Sequence, residues 1–176
     1  MSSTLRCRAA ALVSLLCACG VAPEPLHAQG KSGVMSVNAC SIAPAAELQA
    51  ALGTKVRPQP IPPSTPASIG VSVCMWATMD GHKTLSVSTY GPEAVKRTIS
   101  KDLKTYYESM KISNANQARR GPVVFPRVGR HASYFANPRG TGGDVILILR
   151  NDCVVTINAA GLTRDEAQKV AAAAGT

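Results

Sequence analysis

The chain has 176 residues, with 19 Lys and Arg against 10 Asp and Glu and a formal net charge of +9. That length allows one domain with a sizeable core rather than several. The basic excess favours anionic partners such as lipid headgroups, surface glycans or nucleic acid, the plain alternative being a soluble basic surface with no dedicated partner.

Residues 1–28 read as an export signal. Arg6 and Arg8 form a basic start without acid, and 9–22 is an apolar run holding Leu12, Val13, Leu15 and Leu16. The run is shorter than the roughly 20 residues a bilayer span needs and has signal-peptide proportions. Leu26-His27-Ala28 offers a cleavage site between Ala28 and Gln29, although Leu26 is large for its position. Leu16-Cys17-Ala18-Cys19 competes as a lipobox, with Cys19 lipidated, and an uncleaved anchor is the third reading. Residues 29–37 then form a flexible leader, and 38–176 a single α+β domain. Removing Arg6, Arg8 and Glu24 with the signal leaves 17 Lys and Arg against 9 Asp and Glu, still a net +8. The expected location is periplasmic or secreted, or membrane-anchored through Cys19; nucleic acid is the least fitting anionic partner there.

The first element is a helix over 44–52: Pro44 suits its first turn, Glu47 its positive end and Gly53 its stop. Residues 54–66 contain Pro58, Pro60, Pro62, Pro63 and Pro66, which predicts an extended connector that is neither strand nor helix. Alternation over 68–79 predicts a strand with Cys74 and Trp76 on one face, Asp80-Gly81 a tight turn, and 84–90 the returning strand with Leu85 and Val87 inward. Val95, Ile99, Leu103, Tyr106 and Met110 follow a helical stripe, so a single helix is expected from Gly91-Pro92 to about Ile112.

Residues 113–128 read as irregular, with 123–125 a short edge strand, and 131–136 as a strand before a Gly-rich loop at 137–143. The segments 145–149 and 153–158 form a hairpin turning at Asn151-Asp152, which sets Ile148 opposite Val155 and Ile146 opposite Ile157. Thr163 and Glu166 form a capping box for a last helix over 163–173, whose thin stripe of Ala167, Val170 and Ala171 predicts light docking. The expected fold is α+β, an antiparallel sheet of about five strands with a long helix and shorter terminal helices, in the order α-β-β-α-β-β-β-α.

Cys40, Cys74 and Cys153 remain after the signal, so one disulfide and one spare thiol are expected, with three pairings open. Cys40-Ser41-Ile42, Glu47-Leu48 with Ala51-Leu52-Gly53, and Cys74-x-Trp76 together resemble a bacterial domain of unknown function found in secreted proteins and lipoproteins, notably of actinobacteria. Gly129, Ala132 and Tyr134 are placed like its Gly-x-x-Ala-x-aromatic segment, and the likeness runs over 38–158 in short motifs. The resemblance implies a Cys40–Cys74 disulfide and an envelope-associated α+β domain related to PsbP-like sheets, and it brings no catalytic residues. Ala43-Pro44, where a Thr or Ser cap is usual, and the additional Cys153 depart from the pattern.

No recognised catalytic motif, phosphate loop or metal-ligand spacing occurs, so neither a cofactor nor a metal is expected. His82 and His131 read as solvated, and Gly140-Thr141-Gly142-Gly143 lacks the Lys and helix of a phosphate site. Cys153 reads as a buried thiol; a nucleophilic role would draw on Arg150 across the hairpin. Trp76 is expected to pack on the disulfide. The unusual feature is 111–143, which carries Lys111, Arg119, Arg120, Arg127, Arg130 and Arg139 with no acid. Arginines suit bidentate phosphate or carboxylate recognition. The sequence therefore reads as an exported, non-enzymatic domain that binds an envelope component or protein, with Arg119, Arg120, Arg127, Arg130 and Arg139 as the anion-binding residues. An enzyme without a recognisable motif and a purely structural lipoprotein are the alternatives.

Overall fold

In the computed structural model, which describes residues 37–61, 70–118, 121–125, 128, 131–136 and 143–175, two short helices come first, α1 (Ala39–Ile42) and α2 (Ala45–Leu52). Strands β1 (Val56–Gln59), β2 (Val71–Thr78) and β3 (Thr84–Tyr90) follow, then helices α3 (Pro92–Lys96) and α4 (Leu103–Ala118). The chain closes through β4 (Val123–Val124), β5 (Ala132–Phe135), β6 (Asp144–Leu149), β7 (Val154–Ala160) and helix α5 (Arg164–Gly175). The strands form one antiparallel sheet of order β1-β2-β3-β7-β6-β5-β4, so the α+β class holds, with seven strands rather than about five.

β1 corrects the expectation that 54–66 excludes a strand. The Met79 N–H donates to the Lys55 carbonyl at 3.1 Å, and Val56 lies opposite Thr78. Val56 and, two residues on, Pro58 opposite Trp76 therefore occupy non-hydrogen-bonded positions. The Pro58 nitrogen faces the open edge, where a missing N–H breaks no ladder bond and blunts the edge against further pairing. The remainder of the proline-rich stretch, 62–69, lies outside the described residues. β4, at the opposite edge, occupies the segment expected there.

The two hairpins follow the alternation. β2 pairs with β3 across Cys74↔Val87 and Trp76↔Leu85, and β6 with β7 across Ile146↔Ile157 and Ile148↔Val155. These side chains, all buried, line one face of the sheet, covered by Ile42, Leu48 and Leu52 of the first helices and by α5. Leu147, Val154 and Phe135 point to the other face, under Tyr107 and Ala118 of α4.

Two helical expectations need correction. The stripe from 91 to 112 is not one helix: α3 stops at Lys96 and α4 starts at Leu103. Thr98 Oγ1 donates to the Val95 carbonyl at 2.7 Å and accepts from the Ser100 N–H at 3.1 Å, which turns the chain. Asp102 then accepts from the Thr105 N–H at 2.7 Å as the cap of α4. Val95 is buried but Ile99 is 103% exposed, so Ile99 drops out of the stripe. Beyond this break α4 continues to Ala118, through residues expected to be irregular.

The docking of α5 is not light. Ala167, Val170, Ala171 and Ala174 are all fully buried, because small side chains let the helix sit close to its neighbours. Its capping box forms: the Glu166 N–H donates to Thr163 Oγ1 at 3.3 Å, and the Thr163 N–H donates to Glu166 Oε2 at 2.9 Å. Glu166 Oε1 also meets Lys83 Nζ at 2.6 Å, tying α5 to the β2–β3 turn. The Lys83 bond and the Thr163 N–H hold the Glu166 carboxyl below its ordinary 4.5. A depressed carboxyl stabilises the fold above the unfolded pKa and loses that contribution as pH falls through the folded value. Glu166→Ala is therefore expected to cost about 1 to 2 kcal/mol at neutral pH, with a gap to the native chain that narrows under acid conditions; urea unfolding at several pH values reads both. Among the described residues no helix is long and apolar enough to cross a membrane.

Candidate binding surface

The first candidate residues are brought together as a clasp. Asn38 caps α1, its side chain accepting from the Cys40 N–H at 2.9 Å, and the Ala39 N–H donates to Ser72 Oγ on β2 at 3.1 Å. This presents Cys40 to Cys74, and the two form a disulfide with Cα atoms 5.2 Å apart. Trp76 shares that buried face, and its Nε1 has no hydrogen-bond partner among the described residues. Cys153 is a buried free thiol. Burial, reinforced by Asp152, pushes its pKa up to about 12, which is the opposite of nucleophile activation. Arg150 is occupied elsewhere: Nε lies 3.5 Å from Asp152 Oδ1, and Nη1 donates to the Ala174 carbonyl at 3.1 Å, at the negative end of α5.

The histidines stand apart. His82 is exposed on the β2–β3 turn, where its N–H donates to Asp80 Oδ1 at 3.0 Å. Thr78 Oγ1 donates to the same carboxylate, and these two bonds hold Asp80 below its ordinary range. The His131 and Tyr107 rings stand edge to face with their centres 6.1 Å apart. Among the described residues no three His, Cys, Asp or Glu side chains gather as metal ligands would.

Sequence reasoning missed a strip of hydroxyls on the α4 face of the sheet. Val73 lies opposite Ser88, Ser88 opposite Thr156, Thr156 opposite Leu147, and Leu147 opposite Ser133, one continuous row across five strands. Tyr107 Oη and Ser133 Oγ are hydrogen-bonded at 2.9 Å beneath α4. Tyr90 and Tyr106 stand with ring centres 5.4 Å apart at the side of this row, and burial raises both phenols, Tyr106 to about 12. Val71, Val73 and Met75 of β2 are half-buried on the same face. Ser88, Thr156 and Ser133 of this row are buried, so what the face offers outward is apolar contact through Val71, Val73 and Met75. No signal for it existed in any one segment, because the row depends on β7 inserting beside β3.

The proposed anion-binding residues Arg119, Arg120, Arg127, Arg130 and Arg139 lie outside the described residues, as do Cys19, Ala28 and Gln29. Lys111 of that basic stretch is described; its Nζ pairs with Glu108 at 3.0 Å and lies 5.8 Å from the centre of the Tyr107 ring. Among the described residues of this stretch, Ala118, Phe125, Val128 and Ala132 are buried, whereas Gly121, Val124 and His131 are exposed, and Phe125 stacks on Tyr134 at 5.4 Å. Tyr134 in turn donates to Asp144 Oδ2 at 2.7 Å. Compared with protein families, with characterised proteins and with solved structures, the chain finds no match.

Proposed function

We propose that the chain is an exported, non-enzymatic domain of the cell envelope that contacts an anionic envelope component or a partner protein through Arg119, Arg120, Arg127, Arg130 and Arg139. The observation that supports this most is the anchoring of the segment's described residues. Phe125 and Val128 are sunk into the core between runs of arginine, and β4 and β5, which the segment builds, are the outermost strands of one sheet edge. A basic segment fixed to the core at several points loses less freedom on meeting an anion than a free tail does. The acid-free composition of 111–143 leaves nothing within it to compete for those cations.

The resemblance to the envelope domain of unknown function supports the same setting, since the disulfide it implies suits an oxidising compartment. Replacing Arg119, Arg120, Arg127 and Arg130 together by Ser is expected to abolish retention of the chain on envelope extracts. Retention at the native level would sink the reading. The substitutions leave the buried anchors untouched, so unfolding by urea serves as the control for a folded variant.

A further inference from the structure

The corner between α3 and α4 carries the most exposed large apolar side chain among the described residues. Ile99 is 103% exposed, against 63% for Ile112, 60% for Met79, 58% for Val124 and 47% for Ile61. Lys96, Arg97, Lys101 and Lys104 are exposed within the same short stretch of chain. Lys96 pairs with Glu93 at 2.7 Å, whereas Arg97, Lys101 and Lys104 make no ion pair among the described residues. Asp102, between Lys101 and Lys104 in the chain, accepts from the Thr105 N–H, and the charges of Lys104 and Arg97 act weakly on Asp102 and Glu93 without forming an ion pair.

This corner is built rather than loose. The Arg97 N–H donates to the Ala94 carbonyl at 3.2 Å and the Thr98 N–H to the Val95 carbonyl at 2.9 Å. Thr98 Oγ1 bridges Val95 and Ser100, and Ser100 is buried at 6% exposure. The chain thus holds the residues on both sides of Ile99 while leaving Ile99 itself in water, where its apolar surface gains nothing for folding.

We infer that the α3–α4 corner docks on an anionic phospholipid bilayer, with Ile99 entering the acyl boundary and Arg97, Lys101 and Lys104 meeting the headgroup phosphates. The pattern is that of an interfacial wedge, an apolar tip framed by basic side chains. A bilayer fits it better than a protein surface does. Lysines are depleted at protein interfaces, where holding them in one rotamer costs entropy, while mobile headgroups accept them in many arrangements. Arg97, Ile99 and Lys101 lie on one short turn and Lys104 in the first turn of α4, with no concavity needed to receive a partner. The inference rests on the chain being an envelope domain, but it assigns a surface separate from the arginine segment.

The test is sedimentation of the exported chain with vesicles of phosphatidylcholine alone and of equal parts phosphatidylcholine and phosphatidylglycerol. The readout is preference for the anionic vesicles, which cancels any lipid on the N-terminus. The Arg97→Ser, Lys101→Ser, Lys104→Ser triple variant is expected to lower that preference by up to about 100-fold. Ile99→Ser is expected to weaken binding to the anionic vesicles about tenfold. A native chain without preference, or a triple variant that keeps it, overturns the inference. If the triple variant keeps the preference and the arginine-segment variant loses retention on envelope extracts, the corner fails and the proposed function stands. If the triple variant loses the preference while the arginine-segment variant is retained on extracts, the corner stands and that function fails.

Discussion

A Cys40→Ser, Cys74→Ser double variant is expected to unfold about 4 kcal/mol more easily than the native chain, and its thermal midpoint to fall by about 10 °C. The two cysteines are 34 positions apart, and the disulfide closes a loop that contains nearly all of α1, all of α2 and β1, and the first half of β2 up to Cys74. Cross-linking that loop removes conformations from the unfolded chain. In the folded chain it fixes α1 over β2, where among the described residues the Ala39 N–H to Ser72 hydrogen bond also links the two. Cys74 is buried at 4% exposure, so serine there also places a hydroxyl in an apolar setting. Reductant separates the two costs: the native chain with dithiothreitol shows the loss of the cross-link alone. Cys153→Ala should respond to reductant as the native chain does, since Cys153 is buried and takes no part in the bond. A native midpoint indifferent to reductant would contradict the clasp.

The parts of this fold legible in the sequence are those in which neighbours along the chain decide the structure. The β6–β7 register follows from Asn151-Asp152 and from alternation on either side of it, and Ile146 does face Ile157. Thr163 and Glu166 lie three apart and bond as the spacing requires. Gly53 ends α2 at φ 66°, a left-handed conformation that glycine adopts without a side-chain clash.

Where competing local signals or distant pairing decide, the sequence misleads or is silent. Pro58 speaks against a strand until its nitrogen is known to face an open edge. Ile99 keeps the period of a helical stripe although Thr98 and Asp102 supply a turn and a new cap. The Ser88–Thr156 step of the hydroxyl row arises because β7 returns to pair with β3, a contact between residues far apart in the chain. The basic character of 111–143 is plain in the sequence, and of its described anchors Phe125 falls at the end of the expected edge strand while Val128 lies in a segment that the proline-bounded context marked as irregular.

Leu48→Ala and Ile99→Ala, the same loss of aliphatic carbon on a helix and at the α3–α4 corner, are expected to differ by several kcal/mol. Leu48 is fully buried where α2 meets the sheet and α5, so truncation removes its contacts and leaves a cavity, costing about 2 to 5 kcal/mol. Ile99 fits a buried stripe by spacing, yet it stands in water at the α3–α4 corner, and its truncation should change stability by no more than about 0.5 kcal/mol. Ala171→Leu adds the opposite perturbation. Ala171 is fully buried on α5, and overpacking there should cost about 1 to 3 kcal/mol, where a lightly docked helix would move aside at little cost. Chemical unfolding of the three variants reads both corrections at once. A costly Ile99→Ala would restore one continuous helix across 91–112, and a neutral Ala171→Leu would return α5 to the periphery. The expected pattern instead puts the stability of the domain in the α2–α5 layer and leaves the α3–α4 corner free to change without unfolding it, the condition under which a surface can be shaped for binding.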